Sequence, residues 1–291
     1  MHLATHNAPV YALCVGESNE VFFSGGGDRF VAKWNVNTGL QLPFTVRTES
    51  PVYALVLDNP SSMLFIGCSD GKIHAVNTET KAEVKAWSLH HGGVFDLKID
   101  FQRRRLLAAG GDGVLSVWDL PSMQLLRTIP LSDGKLRQIA LSPDGNKLAV
   151  ADNQGPVHVL DALNFHSDAT LTAHADGSMS AAWHPTKPIL ITGGKDAYLR
   201  CWNSADNFKE VLNFAAHLSG IYSIVFLNDG KRFATCSRDK SIKIWDAQTL
   251  DPLQKIEYAQ GGHKHSVNKL LVLDSKLISA GDDRQLNVFG V

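Results

Sequence analysis

An aspartate followed six residues later by a tryptophan occurs at Asp28 and Trp34, Asp112 and Trp118, Asp196 and Trp202, and Asp239 and Trp245. The same spacing recurs with substitutions at Asp70 and Val76, Gln154 and Leu160, and Asp283 and Phe289. The first members fall at 28, 70, 112, 154, 196, 239 and 283, so the period is 42 four times, then 43 and 44. A fixed period over the whole chain is the mark of a repeat architecture. About 42 residues accommodate four strands of five to six residues and four short turns.

The unit is clearest from His217 to Asp246. Alternating apolar runs (I-Y-S-I-V-F, R-F-A-T-C-S, I-K-I-W-D) are separated by turn residues such as N-D-G at 228–230. That is the pattern of antiparallel strands joined by hairpins. In the first unit the strands are expected at Val10–Val15, Val21–Ser24, Phe30–Trp34 and Leu40–Arg47. In the second they are expected at Val52–Leu57, Met63–Cys68 and Ile73–Val76, with a more polar outer strand after Thr80. The third unit starts with Val94–Ile99 and is followed by Arg103, Arg104 and Arg105 at a hairpin, read as a solvated turn. The seventh runs Val267–Leu273, Lys276–Ser279 and Gln285–Phe289 and has no fourth strand of its own.

These units resemble the WD40-repeat family. The W-D dipeptide is literal at Trp118-Asp119 and Trp245-Asp246; it is W-N at Trp34-Asn35 and Trp202-Asn203, V-N at Val76-Asn77 and L-D at Leu160-Asp161. The resemblance covers essentially all of the chain. It implies an all-β fold, a seven-bladed β-propeller of four-stranded antiparallel blades, with residues 1–291 as a single WD40-repeat domain. It also implies that the chain's first residues close the ring. Residues 1–5 are therefore expected to complete the last blade by pairing with Gln285–Phe289.

Members of the family lock each blade with a loop His, a second-strand Ser or Thr, the turn Asp and the third-strand Trp. The matching sets here are His6, Ser24, Asp28 and Trp34; His174, Thr192, Asp196 and Trp202; and His217, Thr235, Asp239 and Trp245. The seventh unit offers His263, Ser279 and Asp283 but Phe289 in place of Trp. The third has His90, Asp112 and Trp118 but Ala108. Units two and four carry Ile66 and Val76, and Val150 and Leu160, where the set would be, as a half-satisfied buried network is worse than an apolar one. A Ser or Thr, a His and an Asp also describe a catalytic triad. Recurrence argues against that, since an enzyme needs one site rather than several copies.

Composition narrows the function further. With 44% hydrophobic residues and a formal net charge of −1, the chain reads as globular and has no overall basic footprint for nucleic acid. Cys14, Cys68, Cys201 and Cys236 form no C-x-x-C pair, and the His90/His91 and His263/His265 clusters lack further ligands at metal spacing. No metal and no cofactor are expected. Neither a leader nor a membrane span is visible, which points to a cytoplasmic protein.

A function needs a site as well as a fold. The residue after the first apolar position of each inner strand is Tyr11, Tyr53, Phe95, Arg137, Met179, Tyr222 and Asn268. Tyr, Phe, Met and Arg are enriched at the buried centre of interfaces. In the family this position faces the top opening, as does the residue before the turn Asp, here Lys195, Arg238 and Asp282. The expectation is a non-enzymatic scaffold that binds a peptide or protein there, monomeric alone and part of a complex. Two alternatives stay open: these aromatics could instead fill the channel, and the chain could be a lactone-hydrolase-like enzyme with a site in the channel.

Overall fold

The computed structural model describes residues 1–3 and 6–291. They form seven four-stranded antiparallel sheets, six of which follow chain order from inner to outer strand. The inner strands are Val10–Val15, Val52–Asp58, Val94–Asp100, Leu136–Leu141, Ser178–Trp183, Ile221–Phe226 and Val267–Leu273. Each packs beside the next, and the seventh packs beside the first, so the sheets are the blades of a closed propeller. The face carrying the loop histidines and turn aspartates is called the top.

The core lies between the blades. Second strands are therefore buried on both faces and read as continuous apolar runs rather than alternating ones. Phe22 and Phe23 are both fully buried, yet they serve different cores. Phe22 packs with Leu273, Ile278 and Leu286 of blade seven, while Phe23 packs with Phe44 and with Val52, Leu55 and Leu64 of blade two. Leu106 and Leu107 divide in the same way between the two neighbours of blade three.

Most strand limits fall within a residue or two of those expected. Second strands run further than the hydrophobic pattern suggests, Val21–Gly26 rather than Val21–Ser24, because Gly25 and Gly26 still pair with Ala12 and Val10. The seventh blade is completed by a strand of two residues, His2–Leu3, on Leu286–Gly290. His2 pairs with Asn287 and Leu3 with Leu286. The Met1 nitrogen donates to the Val288 carbonyl at 2.8 Å, and the Val288 N–H donates back to the Met1 carbonyl at 2.9 Å. Leu3 is 4% exposed and joins the core between blades seven and one. Ala4 and Thr5, the rest of the expected closing segment, lie outside the described residues.

The arginine run at 103–105 is not a freely solvated turn. Arg104 makes two 2.7 Å bonds to the carboxylate of Asp58 in blade two. Arg103 bonds Asp100 and the Gly145 carbonyl of blade four, and Arg105 reaches the Leu163 carbonyl. The third blade's hairpin thus clamps both neighbours on the bottom face. Local sequence showed three cations at a turn; their partners in the neighbouring blades are 42 to 58 residues away.

Candidate interaction site

In blade six the Trp245 indole N–H donates to Thr235 Oγ1 at 2.9 Å. Thr235 Oγ1 lies 2.8 Å from His217 Nε2, and His217 Nδ1 lies 2.9 Å from Asp239. The indole can only donate and the carboxylate only accept. The donors therefore run one way, from Trp to Thr to a neutral His protonated on Nδ1 to Asp. Ser241, which the repeat pattern did not single out, adds a 2.6 Å bond to Asp239. Equivalent chains link Trp34, Ser24, His6 and Asp28, and Trp202, Thr192, His174 and Asp196. The Asp also accepts the backbone N–H after the histidine, as from Asn7 and Leu218. Burial pulls the His174 and His217 imidazoles below their ordinary value, against the upward pull of their aspartates. Ser24, Thr192 and Thr235 are fully buried, so none of these hydroxyls can meet a substrate.

Blade seven keeps His263, Ser279 and Asp283 but has Phe289 for the indole, and three further blades depart from the set. In blade three the hydroxyl missing at Ala108 comes from Ser116, directly across the strand pair. It lies 2.8 Å from His90 Nε2 and accepts the Trp118 indole at 2.9 Å. Blades two and four are not simply apolar. At the position of Ser116 they carry His74 and His158, which meet Glu83 at 2.7 Å and Asp152 at 3.1 Å. The sequence signal was present one strand over from where the pattern directs attention.

The seven inner strands share a second feature. Pairing with the second strand skips one residue in every blade: Val10/Ala12, Val52/Ala54, Val94/Asp96, Leu136/Gln138, Ser178/Ser180, Ile221/Ser223 and Val267/Lys269. The skipped residues are Tyr11, Tyr53, Phe95, Arg137, Met179, Tyr222 and Asn268. A bulge leaves its extra residue unpaired and re-aims the side chain. Here it turns all seven into a pocket of about 350 Å³ at the channel mouth, with Gln138, Lys269 and Asp282 completing the wall. Gln138 and Lys269 were missed because they follow the bulge, which resets the alternation along the strand.

The aromatics contact one another in ring order. Tyr11 meets Tyr53 edge-on at 5.5 Å, Tyr53 stacks on Phe95 at 5.3 Å and 16°, and the Arg137 guanidinium lies 4.4 Å from the Phe95 ring centre. Gly111 leaves space that the Phe95 ring occupies: a Cβ there would stand 3.0 Å from the ring. Met179 is buried, whereas the aromatics, Arg137 and Asn268 are partly exposed. Lys195 and Arg238 are exposed and do not line the pocket. Arg238 borders a shallower depression beside Tyr11 and Asp282.

Below the mouth the channel encloses about 610 Å³, and its charged wall residues are Asp96, Lys98 and Lys269. Asp96 meets Lys269 at 3.4 Å and accepts the Ile139 N–H at 2.9 Å. Burial depresses the Lys98 ammonium. Burial pushes the Cys68 and Cys201 thiols up to about 12. Among the described residues, no group of three or more His, Cys, Asp or Glu is placed to hold a metal ion, and no helix is long and apolar enough to cross a membrane.

The family model for the WD domain, G-beta repeat, matches residues 82–119, 165–203 and 208–246. The chain is similar to the eukaryotic translation initiation factor 3 subunit I of Drosophila pseudoobscura pseudoobscura, at 25% identity over 206 residues, covering 67% of this chain and 62% of that protein. The proteins of the same name from Drosophila ananassae (25% over 206 residues) and Drosophila willistoni (24% over 208) each align over 67% of this chain and 63% of their own length. The match thus spans less than two thirds of these relatives. The matched repeats, the 42-residue period, the seven four-stranded blades and the Trp–Ser/Thr–His–Asp chains together make the chain a seven-bladed β-propeller that carries WD-type repeats.

Proposed function

We propose that this protein is a non-enzymatic interaction scaffold that docks a peptide or protein at the top mouth of its channel. Tyr11, Tyr53, Phe95, Arg137, Met179 and Tyr222 form the docking pocket, with Lys195 and Arg238 as cationic rim groups. The observation that carries this reading is the bulge repeated in all seven inner strands at the residue that faces the mouth. Bulges re-aim side chains at functional positions, and the side chains presented are the types that anchor interfaces. The relatives' name, a subunit of a translation initiation factor, is consistent with membership of a multi-protein complex in the cytoplasm.

The test is affinity capture from the cells of origin with wild type and a Tyr11→Ala, Tyr53→Ala, Tyr222→Ala variant. Partner loss with retention of cooperative unfolding near the wild-type temperature supports the docking role. A variant that cannot fold assigns the aromatics to channel packing, and a folded variant with undiminished capture removes the mouth as the site.

A further inference from the structure

Arg137 differs from the chain's other arginines. Arg103, Arg104, Arg105, Arg127, Arg200 and Arg232 hold carboxylates or carbonyls. Arg29, Arg47, Arg238 and Arg284 are exposed to water. Arg137 is sunk in the mouth pocket over Phe95, and among the described residues it has neither a hydrogen bond nor an ion pair. The Tyr53 and Tyr222 hydroxyls in the same pocket likewise have no hydrogen bond among the described residues.

A guanidinium presents its donors as a planar fork that matches a carboxylate, and its charge needs a counter-ion when partly desolvated. The pocket's other charges are accounted for. Lys269 meets Asp96 at 3.4 Å. Asp282, on the opposite side of the ring, accepts Asn268 at 2.8 Å and shares the adjoining rim depression with the cations Arg238 and Lys240. Among the charges that line the pocket, Arg137 alone is left without an opposite partner, which suits a monoanion; Lys135, 5.7 Å from the Phe95 ring centre, adds a cation at its edge, and the field of Asp282 opposes a dianionic phosphate more strongly than a carboxylate.

We propose that the mouth takes the side-chain carboxylate of a glutamate or aspartate on the partner's docking segment. Arg137 supplies the counter-charge and bidentate fork, and Tyr53 and Tyr222 donate further hydrogen bonds. The proposal rests on the docking reading above and gives that site its ligand chemistry: an acidic residue flanked by groups that pack on Tyr53 and Phe95.

Met179 lines the pocket and is one of four methionines in the chain, so its 13C-labelled methyl group reports occupancy. The probes are N-acetyl amides of glutamate, glutamine, lysine and phosphoserine, titrated into the intact protein. The glutamate amide is expected to shift the Met179 signal saturably, and to bind about tenfold more weakly to Arg137→Gln, as for loss of one charge-assisted pair. Tyr222→Phe removes one donor without removing charge, and it supplies the comparison if Arg137→Gln does not fold; it should weaken the glutamate probe and leave the glutamine probe unchanged. Equal response to the glutamine or lysine amide, or tighter binding of the phosphoserine amide, overturns the acidic assignment while leaving a docking pocket in place. Silence of Met179 with every probe to its solubility limit overturns the assignment as well, and the docking role then stands or falls on the triple-alanine capture.

Discussion

Ala108 faces Ser116 across the second and third strands of blade three, and the Ser116 hydroxyl bridges His90 and Trp118 as Ser24 bridges His6 and Trp34. Side chains directly opposite on one face of a strand pair stand about 5 Å apart. A hydroxyl can therefore cross the pair and still reach the same histidine and indole. Ser116→Ala leaves both groups unsatisfied in a buried site and is expected to destabilise by about 1–3 kcal/mol. Adding Ala108→Ser to that variant returns the hydroxyl to the position used by blade one. Urea denaturation should recover at least half of the loss; no recovery would mean that the two positions are not interchangeable.

Acid should weaken the blade locks in two stages. The folded-state values of His174 and His217 are depressed below the ordinary 6.5, chiefly by burial. Their contribution is complete above that unfolded value and is lost as pH falls through the folded one, because the unfolded state then binds more protons. For Asp239, Asp112 and Asp283, burial pushes upward, but bonds from histidines, Ser241 and backbone N–H groups together outweigh it and hold them below the usual carboxylate range. Their contribution persists above about pH 4 and fades below it. Tm should fall from pH 7 to 5 and again toward pH 3. Replacing both His174 and His217 by Asn should shrink the first step; an unchanged first step would assign it to other groups.

Asp58 is 1% exposed and held by two 2.7 Å bonds from Arg104. Burial raises this carboxyl, yet the Arg104 and Ser61 hydrogen bonds keep it below its ordinary value. Arg104→Ala strands a buried carboxylate and is expected to cost about 1–3 kcal/mol, discounted from a fully buried pair because the guanidinium is partly exposed. Arg105→Ala loses contacts of 3.2 and 3.4 Å to carbonyls and a 5.5 Å guanidinium contact with the Phe165 ring, strands no buried charge, and should cost about 1 kcal/mol, less than Arg104→Ala. Denaturation of the two variants at matched salt distinguishes a clamp from a surface cation.

The closing strand is two residues long, but Leu3 is as buried as an internal core residue. Leu3→Ala is expected to cost about 2–3 kcal/mol, within the range for buried leucines. Equal loss in Leu3→Ala and Leu286→Ala shows that the last blade closes the ring as one unit. Near-neutrality of Leu3→Ala would show that the seventh blade does not depend on it.

Much of this was legible in the chain, because spacing is a property of sequence. The six-residue Asp–Trp step fixed the repeat count and, through it, the aligned position that holds Tyr11, Tyr53, Phe95, Arg137, Met179 and Tyr222. Three things were not legible. The bulges that turn those residues to the mouth depend on pairing with another strand, which composition does not encode. The exchange of Ala108 for Ser116 and the third-strand histidines His74 and His158 lie across a pair rather than along the repeat. Apart from Asp100, the partners of Arg103, Arg104 and Arg105 belong to the neighbouring blades, and only the packing of blade on blade brings them within reach.

The most direct test of docking at the mouth is site-specific photocrosslinking in the cells of origin. A benzophenone side chain is placed at Tyr53 inside the pocket, or at Lys209, exposed on the outer strand Lys209–Ala215. A discrete protein adduct from position 53, absent from position 209 and lost on Arg137→Gln in the same chain, is the predicted result. Adducts from position 209 with none from position 53 would contradict the account.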